Sequence, residues 1–142
     1  MSSGVVVGYD GSDSAKAALL VAVDVARAHG DELVIAFAYE LNPVAGELHD
    51  YHAAVKELAE KRLAEALSVV SADDGLEVEA IPVARAPAEA LVALADERDA
   101  RLIVVGTQGE SPIRSALLGS TPHKLLHISD RPVLVVPPPG PR

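Results

Sequence analysis

Residues 102–109 read Leu102-Ile103-Val104-Val105-Gly106-Thr107-Gln108-Gly109, and after nine further residues the chain continues with Gly119-Ser120. The apolar run predicts a buried strand, and serine is a common residue at a helix N-cap, which predicts that Ser120 caps a helix. Glycines let a backbone approach a ligand closely, and a helix N-terminus presents unpaired N–H groups to an anion. The stretch therefore predicts a strand, a glycine-lined phosphate loop and a helix, in that order.

The glycine spacing differs from both common phosphate-binding motifs. A P-loop needs Gly-x4-Gly-Lys-Ser/Thr, and the fifth residue after Gly109 is Arg114, where glycine is required. The Rossmann pattern Gly-x-Gly-x-x-Gly is also missing from the glycine loops. What the chain contains is Gly106-x2-Gly109-x9-Gly119-Ser120. Its length favours a loop that wraps a triphosphate rather than a single pyrophosphate.

Strand and helix patterns alternate on both sides of this stretch. Ser12 or Asp13 is suited to cap the first helix, and Gly30 to end it. Pro87 suits the first turn of the third helix. The patterns predict strands at 5–7, 33–39, 76–83, 102–105 and 133–136, and helices at 14–29, about 48–73, from 87 onward, and 120 to about 127.

This alternation predicts an α/β fold: one doubly wound, five-stranded parallel sheet with helices on both faces. Residues 6–12 and 104–109 share an apolar strand followed by Gly-x-x-Gly. We expect these two strands to be neighbours at the switch point, where ligands bind in such sheets. The expected strand order is 3-2-1-4-5. We expect a single domain over 1–142, with an ordered core at about 4–137 and a proline-rich tail at 138–142.

The composition is that of a globular protein with an acidic surface. Of 142 residues, 49% are hydrophobic but only 3% aromatic, so the core must be aliphatic. Acidic residues outnumber Lys plus Arg by 21 to 12, a net charge of −9. This charge disfavours nucleic acid and anionic membranes as partners. It leaves room for a small phosphate ligand, because salt screens distant charge beyond about 8 Å.

Cysteine is absent, so disulfides, thiolate metal sites and cysteine nucleophiles are excluded. The N-terminal residues lack the basic and apolar segments of a secretory signal. No apolar run approaches the roughly 20 residues of a membrane span. We therefore expect a cytoplasmic protein.

The chain resembles the ATP-binding subgroup of the universal stress protein family. The resemblance rests on the Gly-x2-Gly-x9-Gly-Ser spacing, on Asp10 at the end of the first strand, and on the closing segment Pro132-Val133-Leu134-Val135-Val136. It spans about 4–137. It implies an adenine nucleotide α-hydrolase-like fold that binds ATP, with AMP or a cyclic nucleotide as alternative ligands and with Mg²⁺ held through the phosphates.

The resemblance also implies how a nucleotide would be held. Asp10 would accept hydrogen bonds from the ribose or the adenine, and Gly8, Ala38 and Val105 would line the adenine slot. The phosphates would be held by Gly106, Gly109, Gly119, Ser120 and Thr121. Pro122 removes one N–H from that first helical turn, which we expect to have a small effect.

A homodimer is the second implication, with the strands at 133–136 pairing antiparallel across a two-fold axis. The residues support it independently. The segment from Val133 to Val136 carries no charge, proline or bulge that would blunt an exposed edge strand.

Several of these residues also have a purely structural interpretation. Glycines at such positions can serve tight turns alone. Arg114 and Lys124 could neutralise phosphate charge or simply be solvated surface cations. The pairs His49/His52 and His123/His127 could each share a helical face, but no third ligand or His-Glu-x-x-His motif accompanies them, so we expect no metal site.

Two functions of different class remain. The first is a regulatory stress-response protein that senses or sequesters ATP, with slow hydrolysis or none, because the stretch lacks an evident base or nucleophile. The alternative is a Mg²⁺-dependent nucleotide hydrolase or transferase that uses the same crevice, with Asp10 as a candidate metal ligand. The pattern favours a protein that holds nucleotide over one that consumes it.

Overall fold

The computed structural model describes residues 3–40, 48–70, 75–108 and 119–139. The strands are β1 (Gly4–Gly8), β2 (Glu32–Tyr39), β3 (Val78–Ala84), β4 (Ala100–Gly106) and β5 (Val133–Val136). The helices are α1 (Asp13–His29), α2 (Leu48–Val70), α3 (Pro87–Glu97) and α4 (Ser120–Ile128). Gly109 and Arg114, the end of the tail at 140–142 and the side chain of His49 lie outside the described residues.

The five strands form one parallel sheet in the order β3-β2-β1-β4-β5, which confirms the predicted fold class and strand order. Val6 is paired with Val34 on one side and with Ile103 on the other. β1 and β4 are therefore neighbours, as their shared Gly-x-x-Gly exits predicted. Their carboxyl ends lie at the same edge of the sheet, where the winding direction reverses.

Aliphatic side chains fill both faces of this sheet. α1 and α2 pack on one face against residues that include Val5, Val7 and Leu33. α3 and α4 pack on the other face against Val6 and Ile103 among others. The central strands are apolar without alternation because both of their faces are buried, as expected for a parallel sheet.

The sequence left Ser12 and Asp13 open as the N-cap of α1 and predicted Gly30 at its end; the structure selects Ser12 and confirms Gly30. Ser12 is the N-cap, and its Oγ accepts a hydrogen bond from the N–H of Ala15 at 3.2 Å. Gly30 ends the helix in the left-handed conformation (φ 69°), and its N–H bonds to the carbonyls of Ala26 and Arg27. These two caps fix where the helix that follows β1 begins and ends.

The prediction that Ser120 caps α4 is wrong by one residue. Gly119 is the N-cap, with extended backbone (φ −65°, ψ 167°), and Ser120 is the first helical residue. Gly119 has no side chain to accept from the first-turn N–H groups, and no side-chain capping bond is present at this helix start in the described structure. These N–H groups are therefore available to a partner from elsewhere.

Four of the five strands differ from their predicted limits by one or two residues, and only β5 has the limits predicted. β3 begins at Val78, two residues later than predicted, where its pairing with Leu33 of β2 starts. β4 is longer than predicted and includes Gly106, which pairs with Val136 of β5. The sheet thus reaches the first glycine of the loop. No helix among the described residues is long and apolar enough to cross a membrane.

Candidate functional site

A cleft opens at the carboxyl ends of β1 and β4, between the starts of α1, α3 and α4. Its empty space, counted out into the solvent at its mouth, is about 610 Å³. Its lining is formed by Gly8, Tyr9, Asp10, Ala15, Ala36, Ala38, Pro87, Leu91, Val105, Gly106, Gln108, Gly119, Ser120, Thr121 and Pro122.

Eight of the nine residues that the sequence analysis assigned to nucleotide contact lie in this lining, although they come from four separate segments of the chain. The ninth, Gly109, lies outside the described residues. The eight are Gly8, Asp10, Ala38, Val105, Gly106, Gly119, Ser120 and Thr121.

Asp10 lies at the exit of β1, where a tight turn leads into α1. Its Oδ1 accepts a hydrogen bond from the N–H of Ser12 at 2.9 Å, and its side chain is half-buried. Gly11 between them has a φ of 86°, which strongly favours glycine. The turn therefore holds a carboxylate in the wall of the cleft.

Ser14, a residue that the sequence analysis did not single out, ties α1 to the exit of β4. Its buried Oγ donates to the carbonyl oxygen of Gln108 at 2.7 Å and accepts from the N–H of the same residue at 3.3 Å. The close approach of the two segments also explains Gly106. A Cβ at Gly106 would lie only 2.7 Å from the carbonyl carbon of Ser14, so a larger residue does not fit.

The two ends of the glycine loop are joined directly. The N–H of Gly119 donates to the carbonyl oxygen of Thr107 at 2.6 Å, and the N–H of Thr107 donates to the carbonyl of Val136 in β5 at 3.0 Å. The N-terminus of α4 is therefore held next to the exit of β4. These two hydrogen bonds alone place Ser120 and Thr121 at the cleft, and the conclusion does not depend on residues 109–118.

Two charged residues of α2, Arg62 and Glu65, lie against the turn that carries Asp10. Arg62 Nη1 donates to Glu65 at 2.9 Å, and the Tyr9 hydroxyl donates to the other oxygen of Glu65 at 3.3 Å. The Arg62 side chain lies so close to Gly11 that a Cβ there would be 2.6 Å from Nε. Burial and then the negative charge of Glu65 raise the pKa of Tyr9 above its ordinary value of 10.0.

The β2 side of the cleft is apolar. Ala36 and Ala38 of β2 face Pro87 and Leu91 of α3, with Val105 completing this wall. The sequence analysis treated Pro87 and Leu91 only as a helix start and a packing residue. The periodicity of α3 carries no signal that distinguishes a residue packed on the sheet from one that faces a cleft at its edge.

The lining residues of the described chain include no lysine, arginine or histidine. Lys124, one of the two predicted phosphate cations, is outside the lining and pairs with Glu89 of α3 at the surface. This ion pair lowers the pKa of Glu89. An anion in this cleft would therefore be bound by N–H and hydroxyl groups, with Arg114 as the remaining predicted cation.

Within the described residues no three His, Cys, Asp or Glu side chains converge on a point suited to a metal ion. Asp10 is the only carboxylate of the described lining, so Mg²⁺ fits this site only if the phosphates of a bound ligand supply most of its oxygen ligands. The lining can hold an amphipathic molecule: a flat apolar part against β2 and α3, and an anionic part at the start of α4.

These features define a class: an α/β protein with a small-molecule cleft at the switch point of a doubly wound parallel sheet. The universal stress protein family model matches residues 1–137. A universal stress protein of Thermus aquaticus is 39% identical over 139 residues, which cover 93% of this chain and 96% of the relative. The chain therefore belongs to the universal stress protein family.

Solved structures of family members share the fold. A universal stress protein in complex with cAMP is 38% identical, with a TM-score of 0.73, and the match covers 97% of this chain and 98% of that one. The universal stress protein of Archaeoglobus fulgidus in complex with dAMP is 25% identical, with a TM-score of 0.69, over 96% of this chain and 98% of that one.

Proposed function

We propose that this protein binds an adenine nucleotide in the cleft at the ends of β1 and β4, with ATP as the favoured ligand and AMP or a cyclic nucleotide as alternatives. In this proposal it acts in the stress response by sensing or sequestering the nucleotide. The observation that carries the proposal is the convergence of eight sequence-selected residues on one cleft with an apolar and an anion-binding side.

The adenine is assigned to the apolar side, between Ala38 and Leu91, with Val105 beside it. A flat heteroaromatic ring gains from such a wall because apolar contact area is removed from water. The carboxylate of Asp10 is assigned to the ribose or the base as a hydrogen-bond acceptor. The cAMP and dAMP complexes of the two family members support an adenine nucleotide over other amphipathic ligands.

The phosphates are assigned to the start of α4 and the glycine loop. Gly119 leaves the first-turn N–H groups of α4 without a side-chain cap, and Ser120 and Thr121 add hydroxyl groups beside them. Helix N-termini of this kind stabilise bound anions through N–H donors and the helix dipole. Gly109 is the further loop residue that the sequence assigns to the phosphates.

Hydrolysis is proposed to be slow or absent. The described lining holds one carboxylate and three hydroxyl-bearing side chains, Tyr9, Ser120 and Thr121, but no imidazole or lysine to act as a general base. A Mg²⁺-dependent hydrolase or transferase is the competing account. It requires steady ATP turnover that is lost in an Asp10→Ala variant which still binds nucleotide.

The proposal includes a homodimer formed through β5 and a location in the cytoplasm, where the ATP pool is. β5 is an outer strand of the sheet and is paired only with β4 within the described chain. Leu134 in its middle is 37% exposed, an apolar side chain suited to a protein contact.

The test is to fill the adenine side of the cleft and to measure ATP and AMP affinity by calorimetry. Ala38→Leu should weaken both by at least about tenfold, because an overpacked site either excludes the ring or shifts the strand. Ala80→Leu is the matched control. It also changes a half-buried alanine, on the adjacent strand β3, but lies away from the cleft and should leave affinity unchanged.

Loss of affinity in both variants, or in neither, would contradict the assignment of the adenine to this wall. Mass spectrometry of the small molecules that copurify with the protein identifies the nucleotide independently. Copurification of a non-nucleotide ligand in place of an adenine nucleotide would overturn the proposal as a whole.

A further inference from the structure

His123 and His127 form a pair of imidazoles on the outer surface of α4. They are one helical turn apart, both exposed, and their ring centroids are 5.1 Å apart with an interplanar angle of 71°. Neither belongs to the lining of the nucleotide cleft. Their position is therefore independent of the function proposed above.

Two histidines at positions i and i+4 lie next to each other on the same helical face, the spacing that helical zinc motifs use for two of their ligands. The observed ring separation is short enough for both imidazoles to coordinate one ion. The steep angle between the rings is compatible with two adjacent positions of a tetrahedral or octahedral metal.

The electrostatic setting favours a cation at this point. His127 lies in the last turn of α4, where the helix dipole is negative. The chain as a whole carries a formal charge of −9. Lys124, the cation between the two histidines in sequence, is held by Glu89 of α3, so its charge is partly compensated.

The sequence predicted no metal site at this pair because a third protein ligand is missing. We propose that His123 and His127 nevertheless form a surface site for a divalent transition metal with a preference for nitrogen ligands, such as Zn²⁺, Ni²⁺ or Cu²⁺. Hard cations such as Mg²⁺ and Ca²⁺ prefer oxygen and are excluded by this donor set. No third His, Cys, Asp or Glu joins the pair within the described chain, so water completes the coordination. Such a two-ligand site is open to exchange.

The experiment is calorimetric titration of the full chain with NiCl₂, ZnCl₂ and MgCl₂ in separate runs. The proposal predicts that the chain binds nickel and zinc, and that His123→Ala and His127→Ala each weaken this affinity by at least about tenfold. Loss of a residue that only supports a metal ligand already costs that much affinity, so loss of a ligand itself should cost no less. MgCl₂ should not populate it. The substitutions are at exposed positions, and far-ultraviolet circular dichroism checks that the helix content is kept.

His29→Ala and His52→Ala are the controls, because these exposed histidines lie on α1 and α2. Both control variants should bind nickel and zinc as tightly as the unmodified chain. If either α4 variant fails to fold, the glutamine variant at the same position replaces it. Absence of nickel and zinc binding in the unmodified chain, binding unaffected by the α4 variants, or sensitivity to only one of the two would overturn the proposal.

Discussion

The hydroxyl of Ser14 and the main chain of Gln108 exchange two hydrogen bonds, 2.7 Å as donor to the carbonyl oxygen and 3.3 Å as acceptor from the N–H. The first turn of α1 thereby fixes the backbone at the start of the glycine loop. Residues 94 positions apart in sequence define one wall of the cleft. Hydrogen bonds that already hold this wall in place reduce the ordering that binding requires, and pre-organisation of this kind lowers the entropy cost of binding.

Ser14→Ala should therefore impair both stability and nucleotide affinity. Removing the hydroxyl takes one hydrogen-bond partner from the N–H and one from the carbonyl of half-buried Gln108, whose carbonyl still accepts from the Ser12 hydroxyl at 3.3 Å. We expect a cost of about 1 kcal/mol in the free energy of unfolding, the net value of a hydrogen bond. Urea denaturation and calorimetry measure the two effects. Ser68→Ala is the control, because the Ser68 hydroxyl also donates to a main-chain oxygen, at 2.7 Å, but is exposed on α2. Equal effects of the two substitutions would contradict the account.

Gly106→Ala should destabilise the fold even without a ligand. The added Cβ would lie 2.3 Å from Ser14 Oγ and 2.7 Å from its carbonyl carbon, and main-chain atoms cannot move aside cheaply. We expect a loss of about 3 kcal/mol or more, the upper range for overpacking. In Gly4→Ala the Cβ would meet its nearest atom at 3.5 Å, so stability should change little. A mild effect of Gly106→Ala in urea denaturation would show that the segments separate easily.

The stability of the protein should fall at alkaline pH because of Tyr9. Burial and Glu65 raise the pKa of its phenol above 10.0 in the folded chain, so the neutral form is favoured there. Its contribution is complete below pH 10.0 and is lost as the pH rises through the raised value. Tyr9→Phe should remove this fall in the free energy of unfolding at alkaline pH. Glu65→Gln should make the fall less steep. An unchanged curve in Tyr9→Phe would contradict the assignment.

Arg114→Gln should weaken the affinity for ATP by roughly tenfold or more, the value of one charge-assisted hydrogen bond. The affinity for adenosine, which has no phosphates, should change little. Lys124→Gln should alter neither affinity, because Lys124 is held by Glu89 outside the cleft lining. Calorimetry with both ligands makes the comparison. The reverse result, with Lys124 important and Arg114 not, would require α4 to turn towards the phosphates on binding.

Leu134→Lys should convert the proposed dimer into a monomer. A charge in the middle of β5 must be desolvated if the strand is to pair with its copy, and edge lysines are a common block to such pairing. Leu58→Lys is the control, because Leu58 has a similar exposure of 39% but lies on α2, which packs beside the opposite edge of the sheet. Light scattering reports the mass in solution. A dimer that survives Leu134→Lys would place the interface elsewhere.

The sequence predicted the architecture well because two simple signals agreed. Apolar runs such as that from Val5 to Val7 mark strands buried on both faces, and the caps at Ser12 and Gly30 mark helix ends. The pairing of β1 with β4 followed from their similar exits. Errors are confined to the ends of elements, as at Ser120, where glycine and serine both suit an N-cap.

The candidate site was only partly predictable, for a physical reason. Glycines and Asp10 are visible in sequence because their chemistry is unusual at the end of a strand. Ser14, Arg62 and Leu91 reach the site only through tertiary packing, and each lies on a helix where the same residue type is unremarkable. The sequence also indicated only part of the reason why residue 106 is glycine. Its lack of a side chain makes room for α1 as well as for a ligand.

Calorimetric titration of the nucleotide-free full chain with ATP tests the central claim most directly. The account predicts saturable binding of one ATP per chain, with the ligand recovered unhydrolysed at the end of the titration. Absence of binding by ATP, AMP and cAMP alike would contradict the claim that this cleft is a nucleotide site.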